Sequence, residues 1–248
     1  EKVCELDDER AADELMGALL GPDSSLRPLK QILAARTDGN PFFIEEMVRT
    51  LRETNALEGD PGAQRLSRAV DALRVPATVQ AVLAARIDRL PDELKQLLQY
   101  AAVIGTDIPF ALLLEVSGVG AAELRGGLAR LQADEFLYET QLFPDIEYKF
   151  RHTLTQDVAY ESVVQGRRKA LHAQIAEGIE RLHIGRLAEQ VERLAYHTSR
   201  AEAWGKAVGY LRQAGDKALG RSASRAAADW FAQALDALEV VRPYLEDG

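Results

Sequence analysis

The chain has 248 residues, 47% of them hydrophobic and 28% charged, which suits two or three small domains with full cores rather than one. Its net charge of −9 disfavours non-specific binding to nucleic acid or to anionic membranes. The single cysteine, Cys4, rules out an internal disulfide and suits a reducing cytoplasm, and no apolar run approaches the roughly 20 residues that span a bilayer.

From the N-terminus, "EKVCEL" reads as a short terminal strand, and the chain, starting without Met or a signal pattern, as a piece of a longer protein. Asp8 is placed to cap a helix that puts Ala11, Leu15, Ala18 and Leu19 on one face. A second helix carries Leu26, Leu29, Ile32 and Leu33. The turn Asp38–Gly39, the cap Asn40 and the N1 residue Pro41 open a third, with Ile44, Met47, Val48 and Leu51 in register. Residues 54–74 are polar and read as a loop with weak helical content.

Pro76 then opens a helix with Val79, Val82, Leu83 and Ile87, and Pro91 another with Asp92 and Glu93 in its first turn, where the dipole favours them. Short helices follow near 109–116 and 121–133. At 136 the hydrophobic period changes to two: Phe136, Tyr138, Tyr148 and Phe150 alternate about an "LFPD" turn, and three helices before a hairpin make a winged-helix arrangement. Further helices follow. A weak repeat, offset by 20 residues, sets Ala207 on Ala227, Tyr210 on Trp230, Leu211 on Phe231 and Ala214 on Ala234, as in tetratricopeptide-type solenoids. The fold class is therefore mainly α: a helical bundle over 1–75, a winged-helix domain with one β-hairpin over 76–165, and solenoid helices over 166–248.

Catalytic chemistry is not legible. A phosphate loop needs G-x-x-x-x-G-K-[ST], and around Gly205–Lys206 the flanking positions are Arg200 and Ala207. The acidic pairs Glu45–Glu46, Asp92–Glu93 and Asp134–Glu135 occupy helix starts or solvated faces. No histidine pairs with another at i+3 or i+4, so no metal site is expected. His172 and His183 read as surface or half-buried residues, whereas His152 sits where the hairpin gives way to a helix and can reach a ligand. Residues 88–165 hold 6 Lys+Arg against 13 Asp+Glu, a net −7 that argues against DNA contact by the winged helix.

Taken together, "RTDGNPFFIEEMVRTL", "VPATVQAVLAARIDRLP", "LLQYAAVIG", "LARLQADEFLYE", "YKFRHTLTQDVAYESV" and "LAEQVERLAYHTSRAEAWGKAVGYLRQAG", in this order, resemble the part of a STAND-class signalling ATPase that follows its nucleotide-binding core. The combination of "LQADEFLYETQLFPDIEYKFRH" with "RRKALHAQIAEGIE" is most similar to the subgroup fused to class III adenylate/guanylate cyclase domains; the close alternative is the subgroup with a C-terminal helix-turn-helix. The resemblance implies that 1–75 is the end of the core and its lid, and that Gly39, Asn40 and Pro41 pack against the adenine of a nucleotide. It also implies that His152 touches the diphosphate of an ADP-bound form, although Thr153 follows where relatives have aspartate. ATP or ADP with Mg would be bound only by the full-length protein, with the upstream core of the same chain as partner and a protein or small-molecule ligand on the solenoid. The segment would itself be a regulatory, non-enzymatic part of a cytoplasmic protein; a plain interaction scaffold is the competing expectation.

Overall fold

The computed structural model describes residues 2–60, 62–67, 78–141 and 146–246, and the chain forms two compact units, Glu1–Leu90 and Pro91–Gly248. It is mainly helical, with two small antiparallel sheets.

In the first unit, α1 (Lys2–Leu20), α2 (Arg27–Thr37) and α4 (Val79–Asp88) pack on the central α3 (Pro41–Glu53). In place of the expected strand over "EKVCEL", the chain from Lys2 onward is helix, continuous through Asp8, so no helix start falls at Asp8. A lone strand needs a partner for its backbone groups, whereas a helix satisfies them along its own length. The core is built from one stripe of each helix: Met16 and Leu20 of α1, Leu29 and Leu33 of α2, Ile44 and Met47 of α3, with Val82 of α4.

The polar stretch after α3 is more ordered than its composition suggests. Leu57–Glu58 (β1) pairs antiparallel with Arg65–Leu66 (β2), and Gly62 and Gln64 donate their N–H groups to Leu19 and Leu20. Those carbonyls at the end of α1 have no partner within the helix, and the returning loop supplies one. Gly21, at φ +91°, makes the approach possible, since a Cβ there would lie 2.1 Å from the Gly62 carbonyl oxygen. Pro76 and the rest of 68–77 lie outside the described residues. The helix expected from Pro76 starts at Val79, where the Thr78 hydroxyl accepts from the Ala81 N–H at 3.2 Å. Buried contacts join α4 to α3, which is why the first unit extends to Leu90, beyond the division at 75 drawn from sequence.

The second unit begins with α5 (Asp92–Ile104), β3 (Ile108–Pro109), α6 (Phe110–Ser117), α7 (Ala121–Ala133), β4 (Leu137–Gln141) and β5 (Glu147–Phe150). The sheet order is β3-β5-β4, so the first, two-residue strand lies against the hairpin and completes a winged helix. Strand β3 is too short to show a period and was not expected. The hairpin register pairs Leu137 with Phe150 and Glu139 with Tyr148. Phe136, Tyr148 and Phe150 are buried as the alternation predicts, but in β4 Leu137 turns inward and Tyr138 is 42% exposed, one residue out of step. The "LFPD" turn lies outside the described residues.

Four helices then stack in chain order: α9 (Gln165–Leu182), α10 (Val191–Arg200), α11 (Trp204–Gly220) and α12 (Ser224–Glu246), with α8 (Thr153–Glu161) bridging from the hairpin. The repeat is visible as packing. Ala207, Leu211 and Ala214 of α11 are buried, as are the matching Ala227 and Ala234 of α12. Phe231 lies over Gly215, where any Cβ would meet its ring at 2.5 Å. Small residues at these positions set the close approach of the two helices. The first helices do not stand apart from the winged helix: α8 and α9 lie on α5, and α9 on α6, with Gly178 against Val116 and Leu112.

Candidate functional site

The corner between α2 and α3 has the turn chemistry expected of it. Asp38 ends α2 in the left-handed region at φ 49°, and Gly39 follows at φ 72°. Asn40 donates its N–H to Thr37, and its side-chain oxygen accepts from the Phe43 N–H at 3.1 Å. Pro41 occupies N1, where its missing N–H removes no helical bond. Phe43 is buried in the core of the first unit and Phe42 is half-buried, so the aromatic pair anchors the corner from one side. Asn40 and Pro41 are exposed and Gly39 half-exposed, leaving the outer side of the corner open.

His152 is half-buried at the N-cap position of α8, with extended backbone (φ −137°, ψ 138°) and a carbonyl that accepts from the Thr155 N–H at 3.0 Å. It caps through its main chain, while its imidazole makes no capping bond to the helix N-terminus. Gly39, Asn40 and Pro41 belong to the first unit and His152 to the second.

Two buried polar features went unread in the sequence. The first is Glu46, expected on a helix start or a solvated face and in fact 5% exposed. Its carboxylate accepts from the Arg86 guanidinium, itself 4% exposed, and Glu53 receives Arg86 at 3.4 Å and Arg89 at 3.1 Å. Glu46 lies between Phe43 and Thr50, both buried, so its place on the inner face of α3 could have been seen. Its partner 40 residues away could not.

The second feature corrects the reading of His172 as a surface or half-buried residue. His172 and His197 are each 1% exposed, and their Nδ1 atoms lie 2.9 Å apart. The Tyr160 hydroxyl lies 3.2 Å from His172 Nε2, and the main chain of Ile104, at the end of α5, acts on His197 in the direction that favours its proton. Burial, with Arg200 and Arg168 nearby, pushes His172 down to about 4; burial, His172 and Arg193 push His197 down to about 3. Both rings are neutral at pH 7. His172 follows the buried positions Leu171, Ile175 and Ile179 along α9, and His197 follows Val191, Leu194 and Thr198 along α10. Helical periodicity places each on a core face, but their meeting across 25 residues needs the tertiary structure.

Among the described residues no group of three or more His, Cys, Asp or Glu is placed to hold a metal ion, and no helix is long and apolar enough to cross a membrane. Residues 8–65 match the model of a domain of unknown function, DUF8739. Over 199 residues, or 80% of its length, the chain is 28% identical to "Uncharacterized protein R02095" of Rhizobium meliloti (strain 1021). It spans 19% of that protein's length.

Proposed function

We propose that this chain is the nucleotide-state-responsive regulatory segment of a multidomain, ATP-binding signalling protein, controlling a nucleotide cyclase domain elsewhere in the same polypeptide. The observation that carries the reading is the succession of elements. A helical unit with an open Gly39-Asn40-Pro41 corner precedes a winged helix with a histidine at its exit, and a helical stack follows directly. That order supports the resemblance to the post-core part of a STAND ATPase, and the much greater length of the Rhizobium relative is consistent with a multidomain parent.

On this reading the nucleotide is held chiefly by an upstream core that supplies the phosphate loop and Mg. The exposed Pro41 ring offers a flat apolar surface to the adenine, and the His152 imidazole donates to the diphosphate. Exchange of ADP for ATP then shifts the population of domain arrangements, by no more than the difference in affinity between the two states, typically about 1–3 kcal/mol. The helical stack receives the input, from a protein or small-molecule ligand.

A second reading is favoured by one observation: the corner is fully explained as a helix cap, with Asn40 bonded to Phe43. The segment would then be an interaction scaffold without nucleotide contacts. Titration of a fluorescent ADP analogue into the full-length protein separates the two. Pro41→Ala and His152→Ala each weaken ADP binding if the first reading holds; unchanged affinity in both leaves only the scaffold.

A further inference from the structure

The buried imidazole pair does something that neither a nucleotide contact nor ordinary packing requires. It joins three helices through one line of hydrogen bonds: Tyr160 of α8, His172 of α9 and His197 of α10. Two neutral arrangements fit it: His172 donates from Nδ1 and accepts at Nε2 from the Tyr160 hydroxyl, or His197 donates from Nδ1 and His172 donates from Nε2 to the Tyr160 oxygen. In either, the short Nδ1–Nδ1 contact holds one proton, so both rings are neutral and in opposite tautomers.

We propose that this line is a proton-released latch, which holds α10, and the helices α11 and α12 stacked on it, against α9. One added proton still fits: with it on His172, both ring nitrogens donate, the Tyr160 hydroxyl turns to accept, and the bond between the two imidazoles is kept. A second proton sets two N–H groups against each other at 2.9 Å, and the rings must part.

The surroundings make even the first proton costly. The charged groups that act on the pair are Arg168 on α9 with Arg193 and Arg200 on α10, all cationic. Tyr160 and Tyr196 lie edge-to-face with His172, and the Arg168 and Arg200 guanidiniums lie over the two tyrosine rings, 5.0 and 5.6 Å from their centres. α5 contributes the main chain of Ile104, and no carboxylate is among the groups that act on either ring. The same three guanidiniums make the pair a poor cation site.

Opening of α10 exposes both rings to water, where each titrates near 6.5. The open state therefore binds protons that the closed state refuses, and falling pH favours opening. Between pH 7.5 and 5.5 the opening constant rises about 10-fold for each histidine, about 100-fold for both.

The test uses this chain and two readouts. Imidazole nitrogen chemical shifts at pH 7.5 should give opposite neutral tautomers for His172 and His197, one Nδ1–H and one Nε2–H. Hydrogen exchange, corrected for the intrinsic pH dependence, should show the protection of α10–α12 falling about 100-fold between pH 7.5 and 5.5, with α5 and α6 changing less. The double variant His172→Gln, His197→Gln should lose that dependence. Identical tautomers, pH-independent protection of α10–α12, or an equal fall across the winged helix would each overturn the latch. So would a folded double variant that keeps the wild-type response; if it does not fold, the wild-type readouts decide.

Discussion

The two units tie their helices together with buried polar groups of opposite character. In the first, α3 and α4 are joined by the charged pair Glu46–Arg86, with Glu53 and Arg89 extending it to the surface. In the second, α9 and α10 are joined by two neutral imidazoles. A buried ion pair keeps its charges because each compensates the other. The imidazoles are buried, with arginines rather than carboxylates acting on them, so they remain neutral and share a neutral hydrogen bond instead. The first arrangement is sensitive to loss of a partner, the second to gain of a proton.

Breaking the ion pair should have the largest effect. Arg86→Ala leaves the Glu46 carboxylate buried without its main partner, and the first unit should lose about 3–5 kcal/mol, read by urea denaturation. The double variant Glu46→Leu, Arg86→Met removes both charges at similar volume and should recover most of that loss. If the double variant is as damaged as the single one, packing rather than charge compensation holds α4 in place.

Acid should act on the second unit. The histidines' folded values, about 4 and about 3, lie below their ordinary 6.5, so over that window the unfolded state binds more protons. Stability is highest above about pH 6.5 and falls as pH drops toward 4. Between pH 7.5 and 5.5 the loss is about 3 kcal/mol when both rings become exposed. The first unit contains no histidine, so amides on α3 should keep their protection over the same range. A uniform loss in both units would remove the distinction between the two ties.

Helix contact in the second unit can be probed more gently. Gly215→Ala drives a Cβ into the Phe231 ring and should cost about 1–3 kcal/mol by overpacking. Gly209→Ala, on the same helix with no atom within 4 Å of its added carbon, should instead stabilise by up to about 1 kcal/mol. Thermal melts of the two variants should move in opposite directions.

The residues that announced themselves in the sequence are those whose role is local. Asn40 and Pro41 are read from cap and N1 chemistry, and Ile44, Met47 and Leu51 from a 3.6-residue stripe. The stripe Ala207, Leu211 and Ala214 is read from its own repeat. What stayed hidden depends on distant partners. β1, β2 and β3 are two residues each and exist only because another segment lies beside them. Glu46 and His172 are polar residues at core positions, where composition suggests surface and only Arg86 and His197 explain burial. The N-terminal "EKVCEL" shows the converse, since its strand-like composition gives way to a helix that needs no partner.

The smallest predicted effect bears most directly on function. Asn40→Ala removes the acceptor of the Phe43 N–H and should cost the first unit about 1 kcal/mol, whatever the corner binds. Asn40→Asp keeps an acceptor at the same place and adds a negative charge where the helix dipole favours one, so stability should be held or slightly raised. The same charge faces outward from an exposed position. If the corner approaches an anionic nucleotide in the full-length protein, Asn40→Asp should weaken ADP binding in a salt-dependent way while leaving the melt intact. Equal ADP affinity in wild type and Asn40→Asp at low salt would make the corner a helix cap and nothing more.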